Sequence, residues 1–157
     1  MVRIDLPVVG LCVVACAGPQ TKAAVETGAL GVVITRANLE GQSALAVTIT
    51  NRSANDVCVR AELLQNPYTY EMDLNLRKAN GAVVKRYEPG FLPPPNMTPI
   101  RIEPGRKVQG QYYVEARFKL KSGGRELPQG MSAQASFRYD SCDGSQSRKT
   151  TSGWQRI

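Results

Sequence analysis

An all-β fold, two antiparallel sheets packed as a sandwich of eight or nine strands, is what residues 29–157 predict, with an open barrel as the alternative. Three observations carry this. Apolar residues recur with a period of two rather than 3.6, turn signals fall at intervals of roughly 8 to 12 residues, and no stretch has the spacing of a long amphipathic helix.

Ala29 to Arg36, with Val32, Val33 and Ile34, is the first strand; Asn38 to Ser43 connects it to the second, Ala44 to Asn51. There Leu45, Val47 and Ile49 face one way and Ala46, Thr48 and Thr50 the other, the pattern of a half-buried strand. Arg52 to Asp56 turns the chain into Val57 to Leu64, whose inward set is Val57, Val59, Ala61 and Leu63. After Asn66-Pro67 comes Tyr70 to Arg77, with Tyr70, Met72, Leu74 and Leu76 inward and Glu71, Asp73, Asn75 and Arg77 outward. Asn80-Gly81 predicts a hairpin with a type I′ turn, returning along Ala82 to Tyr87.

Glu88 to Pro99 has five prolines in twelve residues. Proline donates no hydrogen bond, so this segment is a loop or an edge. Pro93 to Pro95 favours an extended, stiff backbone, which loses less entropy on binding, and apolar side chains sit in the same loop. Phe91, Leu92, Pro94, Asn96 and Met97 are therefore the candidate binding loop, with an inward-tucked crossing between sheets as the alternative.

Ile100 to Glu103 is a short strand, and Pro104-Gly105 turns it into Val108 to Leu120, where Val108, Gly110, Tyr112, Val114, Ala116, Phe118 and Leu120 alternate with polar residues. Thirteen extended residues at ~3.3 Å each would span ~43 Å, so a bend or bulge is expected near Gly110. Lys121 to Gly130 is a polar loop; Met131, Ala133, Ala135, Phe137 and Tyr139 form one more inward face, followed by a Ser/Thr-rich stretch with Trp154.

The chain has 20 Lys+Arg, 13 Asp+Glu and no His, a formal net charge of +7. Such a surface favours anionic partners or simply a solvated exterior. Arg117, Lys119, Lys121 and Arg125 form a candidate basic patch beside Tyr112-Tyr113. Without histidine, neither a Ser-His or Cys-His nucleophile pair nor the usual zinc ligand set can be assembled. Asp140 to Ser145 echoes an oxygen-ligand loop but lacks its alternating acidic positions and distant Glu, so a turn is the better reading. No catalytic residue, metal or cofactor is expected. Asn51-Arg52-Ser53 and Asn96-Met97-Thr98 fit the N-glycosylation pattern.

Before the sandwich, Leu6 to Cys16 is an uncharged apolar run, too short to cross a bilayer as a helix but of signal-peptide length; a buried strand of a cytoplasmic protein is the alternative. Val13-Val14-Ala15-Cys16 resembles the lipobox of bacterial lipoproteins. That resemblance implies lipid on the thiol of Cys16, removal of residues 1–15, and a tether over residues 16–28. Ala17 after the lipidated cysteine implies an outer-membrane destination in a two-membrane cell. Two acyl chains hold a protein where one alone binds reversibly.

With Cys12 removed and Cys16 acylated, Cys58 and Cys142 remain. In an oxidising compartment such a pair is expected to form a disulfide, whereas in the cytoplasm two separate thiols are expected.

Thr50-Asn51-Arg52-Ser53, the Asn80-Gly81 hairpin followed by Val83-Val84, and Ile102-Glu103-Pro104-Gly105 opening a long strand resemble immunoglobulin-like domains of bacterial envelope proteins and of the intracellular proteinase inhibitor family. The resemblance implies an immunoglobulin-like sandwich and carries over no inhibitory activity. The expected function is a non-catalytic module of the cell envelope. It is held to the membrane by lipid on Cys16 and binds another envelope protein or an anionic envelope polymer. The alternative is an inhibitor or immunity protein that blocks a hydrolase. No nucleic-acid module signature is present, and nucleic acid is not an expected partner.

Overall fold

Period-two alternation becomes two facing sheets in the computed structural model, which describes residues 28–66, 68–69, 71–87, 98–120 and 127–157. In the smaller sheet, β1 (Leu30–Leu39) pairs with β2 (Gln42–Asn51), and β2 with β6 (Lys107–Tyr113). The larger sheet has six strands: β3 (Val57–Arg60), β4 (Asp73–Arg77), β5 (Pro99–Ile102), β7 (Ser132–Ser141), β8 (Ser147–Thr151) and β9 (Gln155–Arg156). β7 is its centre, bordered by β3 and β4 along one edge and by β8 and β9 along the other. All pairings are antiparallel. The two-sheet antiparallel sandwich expected from the sequence is therefore the observed fold.

The inward residues of the alternating strands meet between the sheets. Ile34, Leu45, Val47, Ile49, Val59, Leu74, Leu76, Tyr112, Ala135 and Phe137 belong to one apolar core. Fully burying each large aliphatic side chain is worth roughly 1.5–3 kcal/mol before entropy is subtracted.

Several elements depart from the sequence reading, each for a local reason. The type I′ turn lies at Glu40-Gly41, where both φ angles are positive (54° and 81°), so β1 and β2 run three residues and two residues further than expected. At Asn80-Gly81 only Gly81 has positive φ (84°); Gly81 N–H donates to Lys78 O (2.9 Å) and Lys78 N–H to Ala82 O (2.8 Å), which makes a three-residue turn closed by a left-handed glycine. Its return segment, expected as a regular strand over Ala82 to Tyr87, makes only isolated bridges, Arg77 to Val83 and Arg86 to Phe118.

β3 stops at Arg60, and Ala61–Gln65 forms a single helical turn, α1. Ala, Glu, Leu and Gln are all good helix formers, and burial of Ala61 and Leu63 is met by either geometry. The expected thirteen-residue strand ends at Tyr113. It stays in register through Gly110, opposite Val47, so there is no bulge at Gly110; the glycine is needed because a Cβ there would collide with the Tyr112 hydroxyl and come within 3.2 Å of Leu63 O. The chain turns instead at Val114, whose carbonyl accepts from both Arg117 N–H (3.1 Å) and Phe118 N–H (3.0 Å).

Two polar devices tie the sheets together. Asn51, fully buried at the end of β2, donates to Asn55 O and Ile102 O (both 2.8 Å) and accepts from Ser53 N–H (3.0 Å) and Ser53 Oγ (2.7 Å). On the opposite side, the Gln155 side chain accepts from Ile34 N–H (2.9 Å) and donates to Val32 O (2.8 Å). That side-chain amide replaces a neighbouring strand along the free edge of β1, the kind of edge that otherwise pairs with other chains. Arg36 adds a bond from Nη1 to Leu127 O (2.6 Å) on the same edge.

Candidate functional site

The cysteines come together. Cys58 on β3 and Cys142, one residue past β7, form a disulfide with Cα atoms 5.0 Å apart, because β3 and β7 pair at Cys58 and Asp140.

The basic patch divides. Arg117, outward by strict alternation, is 4% exposed: the turn at Val114 rotates it inward, where Nη1 donates to Met72 O (2.7 Å) and the guanidinium carbon lies 5.1 Å from the Tyr112 ring centroid. It holds the core together and is not a surface cation. Burial pushes the Tyr112 hydroxyl pKa well above the phenol range, against the opposing pull of Arg117, so it stays protonated and donates to Leu63 O. Lys119 is exposed, with Nζ 5.3 Å from the centroid of the Tyr87 ring. Lys121 and Arg125, Cys16 with the rest of residues 1–27, and the loop residues Phe91, Leu92, Pro94, Asn96 and Met97 lie outside the described residues.

What the fold assembles around Lys119 is a cleft of about 480 Å³, within the usual range of ligand sites. Leu120, Pro128, Met131 and Ala79 give it an apolar lining; Lys78, Lys119, Asn80 and Gln129 give it a polar rim. The three-residue turn brings in Lys78, and the bond from Lys119 N–H to Lys85 O (2.9 Å) fixes the opposite wall. Among the described residues of the lining are two ammonium groups and no carboxylate, an arrangement that suits an anionic group. Lys78 and Lys119 are 41 positions apart, and only the observed turn juxtaposes them. Among the described residues no three His, Cys, Asp or Glu side chains converge as a metal site.

The Asp140 to Ser145 segment is the β7–β8 hairpin turn. Asp143 Oδ1 accepts from Ser145 N–H (2.9 Å) and Ser145 Oγ (2.8 Å), while Gly144 takes positive φ (74°). The Ser141 hydroxyl first, then the Ser145 amide and hydroxyl, pull the Asp143 carboxyl down to about 2 from its ordinary 3.8. Because the folded value is the lower one, this contribution to stability is complete above the unfolded pKa and is lost as pH falls from about 4 toward 2. A carboxyl-carbon NMR titration should place the Asp143 midpoint near 2. Ser145→Ala should move it upward, and a wild-type midpoint at the ordinary value would refute this account of the turn.

No known family model and no curated protein matches the chain.

Proposed function

We propose that the chain is a lipid-anchored, non-catalytic binding module of the bacterial cell envelope. In this reading residues 1–15 are removed, Cys16 is acylated, residues 17–28 form the tether, and the sandwich engages another envelope protein or an anionic envelope polymer. The lipobox resemblance at Val13-Val14-Ala15-Cys16 supplies the address.

The observation that carries the reading is the Cys58–Cys142 disulfide, which closes 84 positions of chain. Disulfides persist in exported proteins and are rare in a reducing cytoplasm. The Lys78–Lys119 cleft supports an anionic contact.

Growth with radiolabelled palmitate followed by membrane fractionation tests the address. The wild-type chain should carry label and sediment with membranes, and Cys16→Ala should lose both. An unlabelled wild-type protein retaining residues 1–15 would overturn the reading.

A further inference from the structure

We propose that the outer face of the six-stranded sheet binds an anionic polysaccharide laid along β7. The inference rests on the envelope-module reading for its compartment and names a partner class for it.

Register places the cations. Arg138 on β7 stands directly opposite Lys149 on β8, and both are exposed. Phe137 and Tyr139, their chain neighbours on β7, point into the core, so Arg138 and its partner point out. At the other end of β7, Ser132 is flanked by Arg77 of β4 and Arg156 of β9. Like charges directly opposite in a sheet are unfavourable. Among the described residues none of these four cations has a carboxylate within 4 Å. The carboxylates on this side of the sheet include Asp73, Glu71 and Asp56, already paired with Arg86, Arg60 and Arg101, and Asp140, two positions along from Arg138.

Ser132 and Arg138 are six positions apart, so the two cationic rows lie ~20 Å from one another along the strand. Between them the surface offers half-buried Gln134 and exposed Thr151, uncharged side chains that hydrogen-bond hydroxyls, above a buried Ser136 whose hydroxyl accepts from Thr151 Oγ1 (3.0 Å). Trp154 reaches this face too: the Arg77 guanidinium carbon lies 3.9 Å from its ring centroid. An indole beside cations suits a sugar ring, whose C–H face packs on aromatic surface while its acidic group meets an arginine. A narrow polar track with charges at both ends fits an extended chain better than a bilayer, which rewards many inserted apolar side chains; among the described residues this face offers Val83, opposite Arg77, and Trp154.

The test uses the purified chain carrying Cys16→Ala, so that loss of lipid anchoring and loss of polysaccharide binding are read separately. Heparin should bind, more weakly as salt rises, and neutral dextran should not. Arg138→Ser with Lys149→Ser should weaken heparin binding about tenfold. The same double variant should melt no lower than wild type, since it removes a repulsion. Arg106→Ser with Lys107→Ser, at the β5–β6 turn, should leave heparin binding unchanged. Trp154→Ala should weaken binding of heparin and spare that of inorganic polyphosphate.

Absence of heparin binding by the folded chain would overturn the proposal, as would undiminished binding by the Arg138/Lys149 variant. Equal loss of heparin and polyphosphate with Trp154→Ala would remove the sugar from it. Capture by phosphatidylglycerol vesicles without capture by heparin would reassign the face to the membrane.

Discussion

Replacing Asn51 with leucine is expected to lower the unfolding free energy by about 3 kcal/mol, although the two side chains share the same branched shape and the site is fully buried. The reason lies in what is left behind. Without the amide, Ile102 O and Asn55 O lose their donor and Ser53 loses the acceptor for both its N–H and its hydroxyl. A buried polar group without a partner costs about 1–3 kcal/mol. Asn51→Asp should be no milder, since it turns an oxygen toward two carbonyl oxygens. Urea titration would show a lower midpoint with an unchanged slope, and a loss below about 1 kcal/mol would mean that water replaces these bonds. The same burial closes Asn51-Arg52-Ser53 as a glycosylation acceptor in the folded chain.

Removing the Cys58–Cys142 crosslink should have the largest effect of any single covalent change. For 84 positions of enclosed chain, the loss of unfolded-state entropy corresponds to about 4.6 kcal/mol, with measured values often lower. Against a typical domain stability of roughly 5–15 kcal/mol, the reduced protein would be marginal. Cys58→Ser with Cys142→Ser, or reductant on the wild type, should shift the thermal midpoint downward by many degrees, followed through the fluorescence of Trp154. Coincident melts with and without reductant would show that the bridge contributes nothing.

Much of the sandwich is legible in the chain because half-buried strands write their inner face as alternation. β4 and the inner faces of β2 and β7 follow the pattern: Leu45, Val47, Ile49, Leu74, Leu76, Ala133, Ala135 and Phe137 are all buried, while Ala46 on the other face of β2 is buried too. One failure falls where a turn carries no glycine, proline or asparagine to mark it. Glu115-Ala116-Arg117 turns the chain after Val114 with ordinary helix-forming residues, so strict alternation runs on through the turn and assigns Arg117 to the outside. Glu40 takes a left-handed conformation that sequence reading assigns to Asn-Gly pairs. The cationic face was hidden for another reason. Arg138 and Lys149 become neighbours only through the β7–β8 register, and Arg77 meets Trp154 only because β4 and β9 flank the same strand. No local pattern encodes that.

The central position of β7 has a consequence for biogenesis. The strand that most of the larger sheet pairs with is residues 132–141, and the Gln155 clasp joins positions 121 and 123 apart in the chain. A nascent polypeptide leaving the ribosome therefore lacks the partner strand for β4 until residues 132–141 have been made, and the clasp for β1 until Gln155 has. Such non-local closure is slow. A chain that cannot lock early stays threadable, which suits the export that the proposed envelope role requires.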